Sequence, residues 1–127
     1  MSHAVKARTS DDVHQGYSSA HVIALVSDKW VIEVLHALRA GYHRYGELLR
    51  AIPQVTKKML TQTLRKLERN GIIERIDYNE SPPRIVYFIT PLGDSLIVHL
   101  TQMCEWSKAY FASVEQARQA FDGENTA

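Results

Sequence analysis

A chain of 127 residues, 45% apolar and 23% charged, has the size and balance of one globular domain; it is short of two and too apolar for wholesale disorder. No run approaches the roughly 20 apolar residues that a membrane span needs, and an early segment bearing Asp11 and Asp12 without an apolar stretch is no signal peptide, so the expected location is cytoplasmic. The formal charge of +1 hides a basic middle: residues 39–84 hold ten Lys/Arg against five Asp/Glu, residues 1–38 three against four, and residues 91–127 two against five. That distribution suits a specific nucleic-acid binder that does not adhere to everything.

Residues 1–16 are polar and aperiodic and are predicted to form a flexible arm. His3, His14 and His21 fall in or near it at a spacing that matches no ligand motif, so no metal site or cofactor is expected. A short helix is predicted from Ser18 to Val26, with Val22 and Leu25 or Val26 inside. Ser27 and Asp28 then offer a second helix start, and Trp30, Val31, Val34, Leu35 and Leu38 follow at helical spacing until Gly41. Trp30 reads as core or interface before it reads as a ligand-stacking residue. Tyr42–Tyr45 is a candidate short pairing strand. Gly46 to Ile52 forms a short helix, stopped by Pro53, which disfavours helical geometry in the residue before it.

Four residues later a helix over 56–70 is predicted, with Thr56 as N-cap and Gly71 just past its end. Leu60, Leu64 and Leu67 form its apolar row. Lys58, Gln62, Arg65 and Arg69 fall on the opposite side, and Glu68 lies to one flank. Lys and Arg neutralise phosphates, while Gln, Arg and Thr pair with base edges in the major groove. A short helix, a tight turn and a second helix with a basic face form a helix-turn-helix. The bland alternative is an amphipathic helix with a solvated charged face.

After Gly71 the period falls to two. Ile72, Ile73, Ile76 and Tyr78, a tip at 79–83, and Arg84 to Ile89 make a hairpin, the wing, spanning 72–89. Arg75 and Arg84 are its candidate phosphate contacts, with salt bridges to Glu74 or Asp77 as the competing reading. Thr90 caps a last helix with Pro91 at its first position. Its apolar residues, among them Leu92, Leu96, Met103 and Trp106, exceed what a small domain can cover and imply a second copy of the chain. Residues 115–127 are expected to be a tail that frays from about 118. Cys104 excludes an internal disulfide and is expected to be buried and unreactive.

Taken together, Lys29-Trp30, Arg44-Tyr45-Gly46-Glu47-Leu48, Ile52-Pro53, Lys58 to Gln62, Leu64, Leu67-Glu68, Gly71, Arg75, Pro83 to Tyr87, Thr90 to Gly93 and Trp106 resemble the HxlR-type winged helix-turn-helix transcriptional regulators from about Ser18 to Trp106. The resemblance implies a mainly α fold with a small β-hairpin, and a homodimer joined by N- and C-terminal helices that sets two recognition helices on a near-palindromic operator. Several such regulators sense electrophiles or oxidants through a cysteine near the start of the first helix; here Tyr17 holds that place, which argues against thiol sensing. Gln54 stands where the family tends to have Gly, and Val86 where it often has Glu.

The resulting expectation is a flexible arm, a winged helix-turn-helix domain over 17–114 with its dimerisation helices, and the tail. Thr56, Lys57, Lys58, Thr61, Gln62 and Arg65 meet double-stranded DNA, with Arg75 and Arg84 beside it. Trp30, Leu96, Met103 and Trp106 serve the dimer or a small-molecule effector. The function expected is a sequence-specific regulator, most simply a repressor. The rival is a winged helix used only for protein–protein contact, against which the all-basic outer face counts. No nucleophile–base pair, metal cluster or phosphate-cradling loop supports an enzyme.

Overall fold

The computed structural model describes residues 20–125. In chain order it contains α1 (Ala20–Val26), α2 (Lys29–Arg39), α3 (Tyr45–Ala51), α4 (Lys57–Arg69), β1 (Ile73–Asp77), β2 (Ile85–Ile89) and α5 (Pro91–Asn125). The strands form an antiparallel hairpin and the rest is helical, which is the expected winged helix-turn-helix.

Helix α2 lies at the centre. Asp28 starts it by accepting hydrogen bonds from the Trp30 amide at 2.8 Å and the Val31 amide at 3.4 Å. Its inner residues Val31, Val34, Leu35 and Leu38 are fully buried, and Leu48, Leu60, Leu64, Leu67, Ile73, Ile97 and Leu100 close around them from α3, α4, β1 and α5. This one core fixes the direction in which α4 presents its other face.

Helix α4 begins where Thr56 Oγ1 accepts from the Met59 amide at 3.1 Å. At its far end the Ile72 amide donates to the Leu67 carbonyl and the Gly71 amide to the Glu68 carbonyl. Gly71 takes a φ of +74°, the left-handed geometry that this C-terminal motif requires. The hairpin then pairs Ile73 with Ile89, Arg75 with Tyr87 and Asp77 with Ile85.

Four expectations change. Val22, expected inside, is 45% exposed, and Leu25 alone is the buried residue of α1. Tyr42–Tyr45 is not a strand: one backbone bond, from the Tyr87 amide to the His43 carbonyl at 2.8 Å, joins it to β2. The His43 ring, 3.0 Å from the Tyr87 carbonyl, takes the place of a second ladder bond because α3 already begins at Tyr45. The anticipated tail at 115–127 is helical to Asn125, since Glu115 to Ala120 are good helix formers and Glu115 pairs with Arg118 at 3.6 Å. Cys104 is half-buried rather than buried, because α5 leaves the core after Leu100. The arm 1–16, with His3 and His14, and Tyr17 lie outside the described residues.

Candidate nucleic-acid interface

Along α4, Leu60, Leu64 and Leu67 are 0%, 2% and 0% exposed, so the helix has one orientation on the domain. Thr63, also buried, hands its hydroxyl proton to the Met59 carbonyl at 2.8 Å and thereby joins the inner side. Thr56, Lys57, Lys58, Gln62 and Arg65 are exposed on the outer side, with Arg69 beyond them. Among the described residues no ion pair engages Lys57, Lys58, Arg65 or Arg75. Their charges are therefore available to an anionic partner.

Lys66 is different. Its Nζ lies 2.9 Å from Asp28 Oδ2, which ties the C-terminal half of α4 to the α1–α2 junction. Partial burial pushes the Asp28 carboxyl up, but the Lys66 hydrogen bond, the Trp30 amide, the Lys66 charge and the Val31 amide together bring it below its ordinary value.

Between α4 and the wing runs a cleft of about 460 Å³ lined by Tyr45, Thr61, Leu64, Arg65, Glu68, Arg75 and Tyr87. The fold thus brings Thr61, Arg65 and Arg75 to one place. It sets Arg84 apart, at the base of the wing tip. There its Nε and a terminal nitrogen each lie 3.1 Å from a Glu80 oxygen, and its guanidinium sits 3.8 Å over the Tyr78 ring. The partner is Glu80, not the Glu74 or Asp77 considered from the sequence.

Two residues of the cleft, Glu68 and Tyr45, are not among the site residues expected from the sequence. Glu68 brings a carboxylate to the edge of an otherwise basic surface. Tyr45, which spacing assigned to a strand, places its hydroxyl 3.2 Å from the Lys57 carbonyl oxygen and 3.1 Å from Thr61 Oγ1. No periodicity within α3 signals a contact made sixteen residues away.

The dimer and effector candidates separate. Trp30 is half-buried against the core, with Lys29 Nζ 5.0 Å from its ring centre. Leu96 lines a groove of about 350 Å³ with Val22, Leu25, Ile72 and Leu92, between α1, the turn after α4, and α5; Trp30 is not part of it. Met103 and Trp106 stand on the outer half of α5, 50% and 58% exposed, and the Trp106 ring packs 5.4 Å from that of Tyr110. Among the described residues no group of His, Cys, Asp and Glu has metal-site geometry, and no helix is long and apolar enough to cross a membrane.

The family model for the HxlR-like helix-turn-helix matches residues 25–115. An uncharacterised HTH-type transcriptional regulator of Methanothermobacter thermautotrophicus is 44% identical over 92 residues, covering 72% of this chain and 70% of that protein. YkvN of Bacillus subtilis, of the same description, is 42% identical over 98 residues, 77% of this chain and 82% of its own. Among solved structures, the ytfH transcriptional regulator from Salmonella typhimurium superposes with a TM-score of 0.69 at 34% identity, covering 80% of this chain and 90% of that one.

Proposed function

The chain belongs to the HxlR-like helix-turn-helix family, whose members are transcriptional regulators and not enzymes, and on that premise we propose a sequence-specific DNA-binding regulator that works as a homodimer. Its simplest action is repression, by occupying a near-palindromic operator in the cytoplasm. The carrying observation is the complete burial of the Leu60, Leu64 and Leu67 row, which turns Lys58, Gln62 and Arg65 outward together. In this reading α4 enters the major groove, where Gln62, Arg65 and Thr61 meet base edges and Thr56, Lys57 and Lys58 hold the backbone. Arg75 extends the contact to the flanking phosphates across the cleft. Arg84 joins only by exchanging Glu80 for a phosphate.

The dimer reading is supported by the outer half of α5, where Met103, Trp106, Tyr110, Phe111, Val114 and Phe121 are 41–65% exposed. The groove beneath Leu96 supports an apolar effector. Titration of apolar ligands against Trp30 and Trp106 fluorescence tests it, and absence of any quenching or melting shift removes it.

The decisive experiment is a gel shift on DNA upstream of the chain's own gene and on random duplex. Arg65→Ala is expected to cost roughly 1–3 kcal/mol on the preferred sequence and to relax preference. Lys58→Ala is expected to weaken all duplexes alike and to lower the salt slope by about one unit. Equal losses on both DNAs from both variants would overturn the assignment.

A further inference from the structure

Two hollows adjoin where α1 meets the end of α4, with Leu25 and Asn70 lining both. One is the apolar groove of about 350 Å³ beneath Leu96. The other, of about 480 Å³, is lined by His21, Lys66 and Arg69. Among the described residues no Asp or Glu lines either hollow. A basic compartment beside an apolar one suits a ligand with an anionic head and an apolar body.

The charges set the size of that head. Lys66 Nζ lies 2.9 Å from Asp28 Oδ2, so its charge is already offset and one of its three N–H donors is taken. Among the described residues no ion pair engages Arg69. One cation is left to balance, and a guanidinium matches a single carboxylate through two parallel hydrogen bonds. The C-terminal end of α4 opposes an anion with the equivalent of about half a charge. The Lys66, Leu67 and Glu68 carbonyls there already accept from the Asn70, Ile72 and Gly71 amides, so the full charge of Arg69 outweighs that end. For the body, Leu25 and Ile72 are buried, while Val22 and Leu92 are 45% and 57% exposed and gain cover from a hydrocarbon laid between them.

We propose that the joined hollows bind an apolar monocarboxylate of the medium-chain fatty acid class, its carboxylate on Arg69 and Lys66 and its chain beneath Leu96. The inference rests on that groove admitting an apolar effector and adds the head group. Arg69 and Lys66 both belong to α4, so such a ligand bears directly on the helix proposed to read DNA.

The test titrates the full chain with octanoate, hexanoate and the neutral octanamide by calorimetry at low and high salt, with sedimentation in parallel. Octanoate is expected to bind roughly three- to tenfold more tightly than octanamide at low salt, a gap that narrows as salt screens the pair. Hexanoate, with fewer methylenes to bury, is expected to be weaker than octanoate by roughly tenfold. Arg69→Gln should bring octanoate down to the level of octanamide and leave octanamide unchanged, whereas Leu92→Ser should weaken both. Equal binding of octanoate and octanamide to wild type, or an Arg69→Gln chain that keeps the full preference, overturns the carboxylate site and leaves the apolar effector reading standing. Binding of neither overturns both. Octanoate uptake only as the dimer dissociates identifies a second copy of the chain as the occupant of the groove and likewise overturns the proposal.

Discussion

Leu60, Leu64 and Leu67 of α4 are 0–2% exposed, whereas Met103, Trp106, Tyr110 and Phe111 of α5, spaced by similar small steps, are 50–64% exposed. Spacing places residues on one side of a helix, but only tertiary structure decides what covers that side. In α4 the cover is α2 and the rest of the core, so the helix has a polar face left over, and that face is the proposed DNA-contact surface. In α5 the core ends at Leu100. Beyond it Met103, Trp106, Tyr110 and Phe111 stay half or more exposed, the surface that a second chain would bury.

The largest expected effect breaks this contrast if it fails. Leu67→Ala removes a fully buried side chain and is expected to cost about 2–5 kcal/mol of folding stability at any protein concentration. Phe111→Ala, at a side chain 64% exposed, is expected to change monomer stability by less than about 0.5 kcal/mol. Its effect should appear instead as a dimer dissociation constant raised about tenfold. Denaturant titration at several concentrations, with sedimentation, separates the two. A Phe111→Ala chain as unstable as Leu67→Ala would mean that the outer half of α5 packs within its own subunit.

Gly93 sharpens the boundary between the packed and unpacked parts of α5. A Cβ at this position would overlap the Ile72 carbonyl oxygen and come within 2.8 Å of Ile89 Cγ2. The first turn of α5 can therefore lie against the end of α4 and the wing only without a side chain. Thr90 holds the same place, its hydroxyl 2.6 Å from the Gly71 carbonyl and accepting from the Gly93 amide at 3.1 Å. Gly93→Ala is expected to cost about 1–3 kcal/mol through forced backbone displacement. Gly123→Ala, in the outer half with open space around it, should be neutral or slightly stabilising. A melting temperature unmoved by Gly93→Ala would show that the boundary is drawn in the wrong place.

Asp28 tests the other tie of α4 to the domain. Asp28→Ala removes the α2 cap and the Lys66 pair and is expected to cost about 1–2 kcal/mol. Asp28→Asn can still cap and should cost less. The carboxyl sits below its ordinary 3.8 in the folded chain, so its contribution is present above pH 3.8 and fades as pH falls through the lower folded value. Acid titration of wild type against Asp28→Asn should show the two stabilities converging below about pH 4. A gap that widens on acidification would reverse the sign and remove the carboxylate from the account.

How far the sequence spoke can be judged at particular residues. The caps at Thr56 and Gly71, the leucine row between them and the Pro91 start of α5 are local signals, and each reappears in the structure. The outward placement of Lys58, Gln62 and Arg65 follows from that row by helical geometry alone. What spacing could not supply were relations between distant segments: the Tyr45–Thr61 and Lys66–Asp28 contacts, and the placing of Glu68 and the wing's Arg75 in the lining of one cleft. Arg84 was visible as a cation near the wing, but its pairing with Glu80 depends on how the tip folds back. The outer end of α5 was underestimated because a helix that reaches past its core looks, from composition, like a tail.

The smallest expected effect lies at the entrance to α4. Both ends of this helix adjoin a left-handed residue, Gly71 at φ +74° and Gln54, in the turn after α3, at φ +64°. A side chain in that geometry costs about 1–2 kcal/mol, and glycine gives back about 0.5–1 kcal/mol through the freedom it adds to the unfolded chain. Gln54→Gly should therefore stabilise by a few tenths to about 1 kcal/mol. Gln54→Val, branched at Cβ, should destabilise. If Gln54→Gly instead lowers the melting temperature, the glutamine side chain makes a compensating contact. The turn that aims α4 would then owe its shape to that contact and not to backbone geometry alone.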